Sequence, residues 1–202
     1  MWLTICAIII LAVCLAMTWT EGLWTNTLSC INVFFAAMIA TNYYELAANL
    51  MDETWGSLTY WWDFLSLWAL FCFSFLVLRT FTDTFSKTRL RFKLPIDKIG
   101  GAIAGLCTGC AVVMFFAFTI HTAPLVRSPF GGAFQKEPTS TNLMVGPDRL
   151  WMGFMQSRSK GAMATSSEEA DKKIFDENSE FILKYGQRRQ LFSEQPRMKV
   201  RY

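Results

Sequence analysis

Residues 97–124 read DKIGGAIAGLCTGCAVVMFFAFTIHTAP, and no other segment of the chain indicates the fold class as strongly. From Ile99 to Ile120 it contains no charged residue, which matches the roughly 20 apolar residues that a helix needs to cross a hydrocarbon core about 30 Å thick. Gly101, Gly105 and Gly109 recur at every fourth position and therefore share one helix face. Because helices in lipid associate through close packing over small residues, we expect this face to contact a neighbouring helix.

The composition separates the chain into two parts. Of its 202 residues 52% are hydrophobic and 17% are charged, which is too apolar for an ordinary soluble domain. Residues 1–122 contain six of the nineteen Lys and Arg residues, and the rest of the chain contains the other thirteen. We therefore predict a membrane domain over 1–124 and a polar tail over 125–202. A net charge of +3 is too small to indicate a nucleic-acid partner, so the lipid bilayer is the expected one.

Three further apolar runs precede the central stretch and predict three more helices. The predicted fold is an all-α membrane protein, a four-transmembrane-helix bundle with a polar C-terminal tail that contains one or two short helices. Asn32 lies inside the second run, where its amide must find a hydrogen-bond partner on another helix. The predicted transmembrane helices are 2–19, 27–46, 61–84 and 98–121.

In the tail, Pro147-Asp148 is typical of a helix start. One side of that helix would be apolar, so we expect it to dock on the membrane domain or to lie on the bilayer surface. A second helix is predicted within 171–185, and 187–202 is predicted to be disordered. The apolar side of the first tail helix comprises Leu150, Trp151, Phe154 and Met155.

The basic residues predict the orientation in the membrane. All six Lys and Arg residues of the membrane domain lie between positions 79 and 98. Short loops rich in Lys and Arg stay in the cytoplasm, so the 87–97 loop is predicted to be cytoplasmic and both termini periplasmic. Arg79, Asp83 and Asp97 are charges at this inner boundary. We expect them to pair and to lock the third helix to the fourth, with a wet path in a small transporter or channel subunit as the alternative.

Few residues suggest chemistry. Cys107 and Cys110 have the spacing of a redox pair, which makes a membrane thiol oxidoreductase a second alternative. However, the pair lies inside an apolar helix, where thiolate is scarce, and the loops contain no second pair. His121, the only histidine, is expected to anchor the helix at the interface. We find no catalytic residues, no metal ligands and no cofactor motif, so the sequence predicts a protein that is not an enzyme.

The layout resembles that of a known family. Four apolar runs, a basic third loop, and Asp97-Lys98-Ile99-Gly100-Gly101 leading into Gly105 and Gly109 are similar to the colicin V production protein (CvpA) family. The resemblance covers about residues 1–122. It implies a multi-pass protein of the bacterial inner membrane with a role in colicin V (toxin) production or export and in envelope homeostasis, and it brings no catalytic residue. We expect such a protein to assemble with itself or with other membrane proteins, with Gly101, Gly105 and Gly109 making the helix contact.

Overall fold

The computed structural model of the chain describes residues 2–55, 58–86, 92–125, 146–160 and 174–194. Within these ranges the regular structure is helical and contains no strand. Residues 87–91 of the predicted cytoplasmic loop lie outside them, as do 126–145, 161–173 and 195–202 of the tail. The helices are α1 Trp2–Thr18, α2 Leu23–Thr54, α3 Trp62–Phe85, α4 Leu94–Thr122, α5 Pro147–Lys160 and α6 Phe181–Glu194.

Three of these helices, α2, α3 and α4, are long and apolar enough to cross a membrane. The helix α1 is also apolar, but its 17 residues correspond to only about 25 Å at 1.5 Å per residue. The α3 segment has the most exposed surface of the three long helices, with only 17% of its apolar window buried inside the protein. Exposed Phe73, Leu76 and Phe81 belong to this surface. Such an outward-facing apolar surface is what a lipid environment requires.

The helices α2 and α4 are the centre of the bundle. The α3 helix packs mainly on α2, and α1 packs mainly on α4, whereas α3 meets α4 at few positions. We call the end at which α2 and α4 begin the basic end, because it carries the segment 79–98. The other end, where α2 and α4 finish and α3 begins, is called the tail end.

Two helix boundaries differ from the sequence prediction for physical reasons. The α4 helix begins at Leu94 rather than near 98, because Pro95 lies in its first turn, where the missing N–H breaks no helical hydrogen bond. The α2 helix runs from Leu23 to Thr54 instead of 27–46. Its charged continuation beyond position 45 can remain helical outside an apolar core, since helix formation does not depend on apolar side chains alone.

The described tail is part of the main core. Trp151, Met152 and Met155 of α5 and Phe181 and Tyr185 of α6 are buried in one cluster with residues of α2, α3 and α4. The structure corrects the tail prediction at two points. Leu150 is exposed, and the second tail helix begins at Phe181, after a turn, and continues through 187–194, which the sequence predicted to be disordered. Asp176 sets this start, because its carboxylate accepts the Phe181 N–H at 3.0 Å.

Trp151 provides a test of this core. Its ring contacts Phe115 of α4 and Phe34 of α2, and its indole N–H donates to the Thr41 hydroxyl at 3.1 Å. We expect Trp151→Ala to lower the free energy of unfolding by about 3–5 kcal/mol, because it leaves a cavity and removes the hydrogen bond that the Thr41 hydroxyl accepts. Leu150→Ala, on the exposed side of the same helix, should change it little. Thermal unfolding of both variants in detergent is the measurement, and equal melting temperatures would contradict the described packing.

Candidate functional site

The turn between α1 and α2 is seated directly on the first turns of α4. The Asp97 carboxylate accepts the Leu23 N–H, the first N–H of α2, at 3.0 Å. Gly22 makes this approach possible, since a Cβ there would lie 2.8 Å from an Asp97 carboxylate oxygen. A side-chain acceptor at a helix N-terminus satisfies a donor that the helix itself leaves unpaired. Asp97 therefore caps α2 from a different helix.

Asn26 completes this contact from the other side. Its side-chain amide donates to the Thr18 carbonyl at the end of α1 and to the Gly101 carbonyl of α4, both at 2.9 Å. A Cβ at Gly101 would lie 3.3 Å from the Glu21 carbonyl oxygen, so the absence of a side chain lets the turn backbone rest on α4. Asn26 is 1% exposed and links three helices at one point. We call Gly22, Leu23, Asn26, Asp97 and Gly101 the α1–α2 seat.

The other two glycines of the register also face α1. A Cβ at Gly105 would lie 2.3 Å from the Thr18 hydroxyl oxygen, and one at Gly109 would lie 3.4 Å from Cys14 and Leu11. The glycine face of α4 is thus filled from within the same chain. A second copy or a partner protein therefore has no access to it while α1 is in place.

The charges at the basic end bond to α2 rather than joining α3 to α4. Arg79 pairs with Asp83 one turn on, at 2.9 Å, and also donates to the Ser29 hydroxyl of α2 at 2.8 Å. The expectation that these charges lock α3 to α4 is therefore wrong for Arg79, as it is for Asp97, whose bond is to Leu23. The physical reason is that α2 lies closest to both helices.

Further polar contacts join α2 to α3 at the same end. Asn32 donates to the Thr82 hydroxyl, which gives the predicted interhelical partner of this amide. The Trp24 indole donates to Ser86 at 2.8 Å. A cavity of about 20 Å³ lies among these side chains and Arg79 and Asp83, which is room for about one water molecule.

A second polar cluster lies at the tail end, and only parts of it could be predicted from the sequence. His121 is 3% exposed, and its Nε2 lies 2.8 Å from the Asp148 carboxylate of α5. The expectation of an interfacial anchor is therefore wrong, because α5 and α6 cover this histidine. Arg189 of α6 donates to the His121 carbonyl at 3.0 Å and so satisfies an acceptor at the end of α4.

Two tyrosines and two charges extend this cluster to α3. The Tyr185 hydroxyl donates to the Asp63 carboxylate at 2.9 Å and lies 3.2 Å from the Tyr44 hydroxyl. Arg188 forms an ion pair with Asp63 and also donates to the Thr59 carbonyl. We call Tyr44, Asp63, His121 and the tail residues Asp148, Tyr185, Arg188 and Arg189 the tail-end cluster.

Burial and neighbouring charges shift the pKa values of Asp148, Tyr185 and Arg189 in this cluster. Burial alone would raise the pKa of Asp148, but the His121 hydrogen bond and charge, with backbone N–H groups, hold that pKa below its usual range. Burial and the nearby Asp63 charge raise the pKa of Tyr185 well above its ordinary value, so the hydroxyl remains a donor. Burial lowers the pKa of Arg189. The cluster thus contains an ionised carboxylate and a protonated phenol near neutral pH.

Other candidate chemistry is sparse in the part of the chain that the structure describes. There, no group of three or more His, Cys, Asp or Glu side chains is placed to hold a metal ion. Cys107 and Cys110 are exposed on α4, and all six cysteines are free thiols. A cavity of about 710 Å³ lies between the tail end of α2 and the start of α6. Its lining includes Glu45 and Lys184, which form an ion pair at 2.9 Å.

The sequence comparison assigns the family. The sequence model of the colicin V production protein family matches residues 3–141, which is more than half of the chain. The chain belongs to this family. The match includes α1 to α4 and the whole α1–α2 seat, and it ends before α5. No curated protein and no solved structure matched the chain. Together with the apolar helices, the family identifies a transmembrane protein.

The structure adds roles that sequence reasoning did not assign. The partners of Asn26 and Gly22 could not be read from the sequence, since they are about 75 residues away. Tyr185 and Asp148 belong to the tail, and their partners on α3 and α4 could not be read from spacing. Of the residues at the two sites, only the three glycines and Asp97 could be recognised from the local sequence around them.

The unequal space around the three glycines gives a test. Gly105→Ala places a Cβ against Thr18 and should lower the free energy of unfolding by about 1–3 kcal/mol. Gly109→Ala makes ordinary contacts and should leave stability unchanged or slightly higher, since alanine favours helices. The measurement is thermal unfolding of both variants in detergent. If the two variants melt at the same temperature, α1 does not pack on this face as described.

Proposed function

We propose that this protein is a non-enzymatic, multi-pass protein of the bacterial inner membrane that supports the production or export of a colicin V-type peptide toxin and the homeostasis of the envelope. The family match carries the toxin-related part of this proposal. The non-enzymatic part is supported by where the polar side chains of the membrane domain bond. Asn26, Asn32, Arg79 and Asp97 each bond to a neighbouring helix, so their polar groups are used in helix contacts.

We further propose that α1 is a fourth membrane crossing. It runs antiparallel to α4, with Thr18 beside Gly105 and Leu3 beside Ile120. The α4 segment between these contacts is about 22 Å long at 1.5 Å per residue. Because α1 packs along α4 over this depth, it must lie in the bilayer as α4 does. Local thinning of the bilayer can accommodate the shorter length of α1.

The proposed orientation places the 87–97 loop in the cytoplasm and both termini in the periplasm. The concentration of basic residues between 79 and 98 supports the first part. The contacts of α5 and α6 support the second, because they involve Thr41, Asp63 and His121, which lie toward the tail end of the bundle. In this arrangement the described tail lies on the periplasmic side.

The protein would act by assembling with itself or with other membrane proteins. Since α1 fills the glycine face, such assembly would use another surface of the membrane domain. The alternatives of a transporter subunit and of a thiol oxidoreductase make different demands on the chain. The first needs Asp83 to act during flux, and the second needs Cys107 and Cys110.

The test is complementation in a strain that exports a colicin V-type toxin and lacks this gene. We expect less toxin outside the cells, with full recovery on expression of the wild-type chain and of Cys107→Ser/Cys110→Ser. Asp97→Ala, which removes the cap on α2, should complement several-fold less well at equal expression. Normal toxin export without the gene would contradict the proposal.

Two outcomes would favour the alternatives instead. Failure of the Cys107→Ser/Cys110→Ser chain to complement would indicate thiol chemistry. Ion flux through vesicles containing the purified protein, lost on Asp83→Asn, would indicate a transporter or channel.

A further inference from the structure

The helix α6 bonds to three different helices of the membrane domain at the tail end. Tyr185 donates to Asp63 of α3 and lies beside the Tyr44 hydroxyl of α2. Four residues on, Arg189 donates to the His121 carbonyl at the end of α4. Tyr185 is 1% exposed, so these bonds are made in the interior and not across water. A single short helix therefore connects α2, α3 and α4.

The helix α5 provides a second connection between α2 and α4. Asp148 bonds to His121 of α4, and three residues later the Trp151 indole bonds to Thr41 of α2. The two tail helices are themselves joined, because Ser159 near the end of α5 accepts the Phe175 N–H and Phe175 packs on Phe181 at the start of α6. The two tail helices are therefore connected as one unit.

Without these helices, α3 and α4 have only a small direct contact near this end. It consists of ring contacts of Trp68 and Phe71 of α3 with Phe115 of α4. At the basic end the α2–α4 contact is closed by the α1–α2 seat, which involves neither α5 nor α6. The two ends of the bundle are thus held together by different parts of the chain.

We propose that α5 and α6 form a releasable strap across the tail end of the bundle, fastened by the Asp63–Tyr185–Arg188 and His121–Asp148 contacts. When the strap is released, α3 and α4 separate at the tail end while the α1–α2 seat acts as the hinge. The strap is an addition to the membrane domain and goes beyond the role proposed for it above.

The polar part of the fastening, which adds to the apolar burial of α5 and α6 in the core, makes the strap sensitive to the loss of a single partner. Burying charged groups is costly, and their attraction offsets this cost only while every partner is in place. Loss of one partner leaves the other charge buried and unpaired, so the remaining polar contacts of the strap are weakened as well. A strap held only by apolar side chains would lack this dependence on a single partner, since each contact would be lost separately.

The test is hydrogen exchange of the full chain in lipid nanodiscs, followed by mass spectrometry. Tyr185→Phe keeps the ring and removes the hydroxyl that meets Asp63. We expect exchange to become at least about tenfold faster in α6 and, together with it, in 62–68 of α3 and 115–122 of α4. Exchange in 23–29 and 97–105, which contain the seat, should remain at the wild-type rate.

Two further variants complete the experiment. Tyr43→Phe removes a hydroxyl from the exposed neighbour of Tyr44 and should leave every rate unchanged. Asp63→Asn removes the charge that pairs with Arg188 and also weakens the bond from Tyr185, so it should give the same pattern as Tyr185→Phe with a larger amplitude. Faster exchange confined to α6 would overturn the proposal, because the tail would then be an appendage that does not hold the helices together. Unchanged exchange, or equal acceleration in the seat, would overturn it as well.

Discussion

The Asp97 carboxylate and the bare backbone at Gly101 together hold the turn between α1 and α2 against the start of α4. The rest of the membrane domain depends on this contact. It fixes where α2 begins, and it brings the end of α1 to Gly105. In an apolar environment helices gain little from hydrophobic association, so close packing and hydrogen bonds must select their partners. The α1–α2 seat supplies both at one point, which explains why glycines and an acid occur together there.

The same constraint explains why the glycine face does not serve association with a second copy. A groove without side chains is a general solution for close helix contact, and its spacing does not reveal which helix will enter it. Here the short connection between α1 and α2 keeps α1 beside α4, and α1 fills the groove. The surfaces left for a partner are the lipid-facing sides of the bundle and the tail.

The sequence predicted the helical class, the central helix, its glycine face and the helical character of the tail, because each depends on local composition or on a repeat within one helix. It could not predict partners that come from distant segments. Asn26 bonds to Gly101, and Tyr185 bonds to Asp63, across 75 and 122 positions respectively. The expected role of Arg79 failed for the same reason, since α2 rather than α4 is its nearest neighbour. His121 looked like an interfacial residue because nothing in its own helix indicates that α5 and α6 cover it.

An engineered disulfide can show whether α1 lies in the glycine groove of its own chain. Native Cys14 has its Cβ 3.4 Å from the position of a Cβ at Gly109, close to the roughly 3.5–4.5 Å between Cβ atoms of a disulfide. In a chain whose only cysteines are Cys14 and one introduced by Gly109→Cys, mild oxidation in native membranes should give an intramolecular disulfide in most molecules. A chain that remains reduced, or one that forms mainly covalent dimers, would contradict the account.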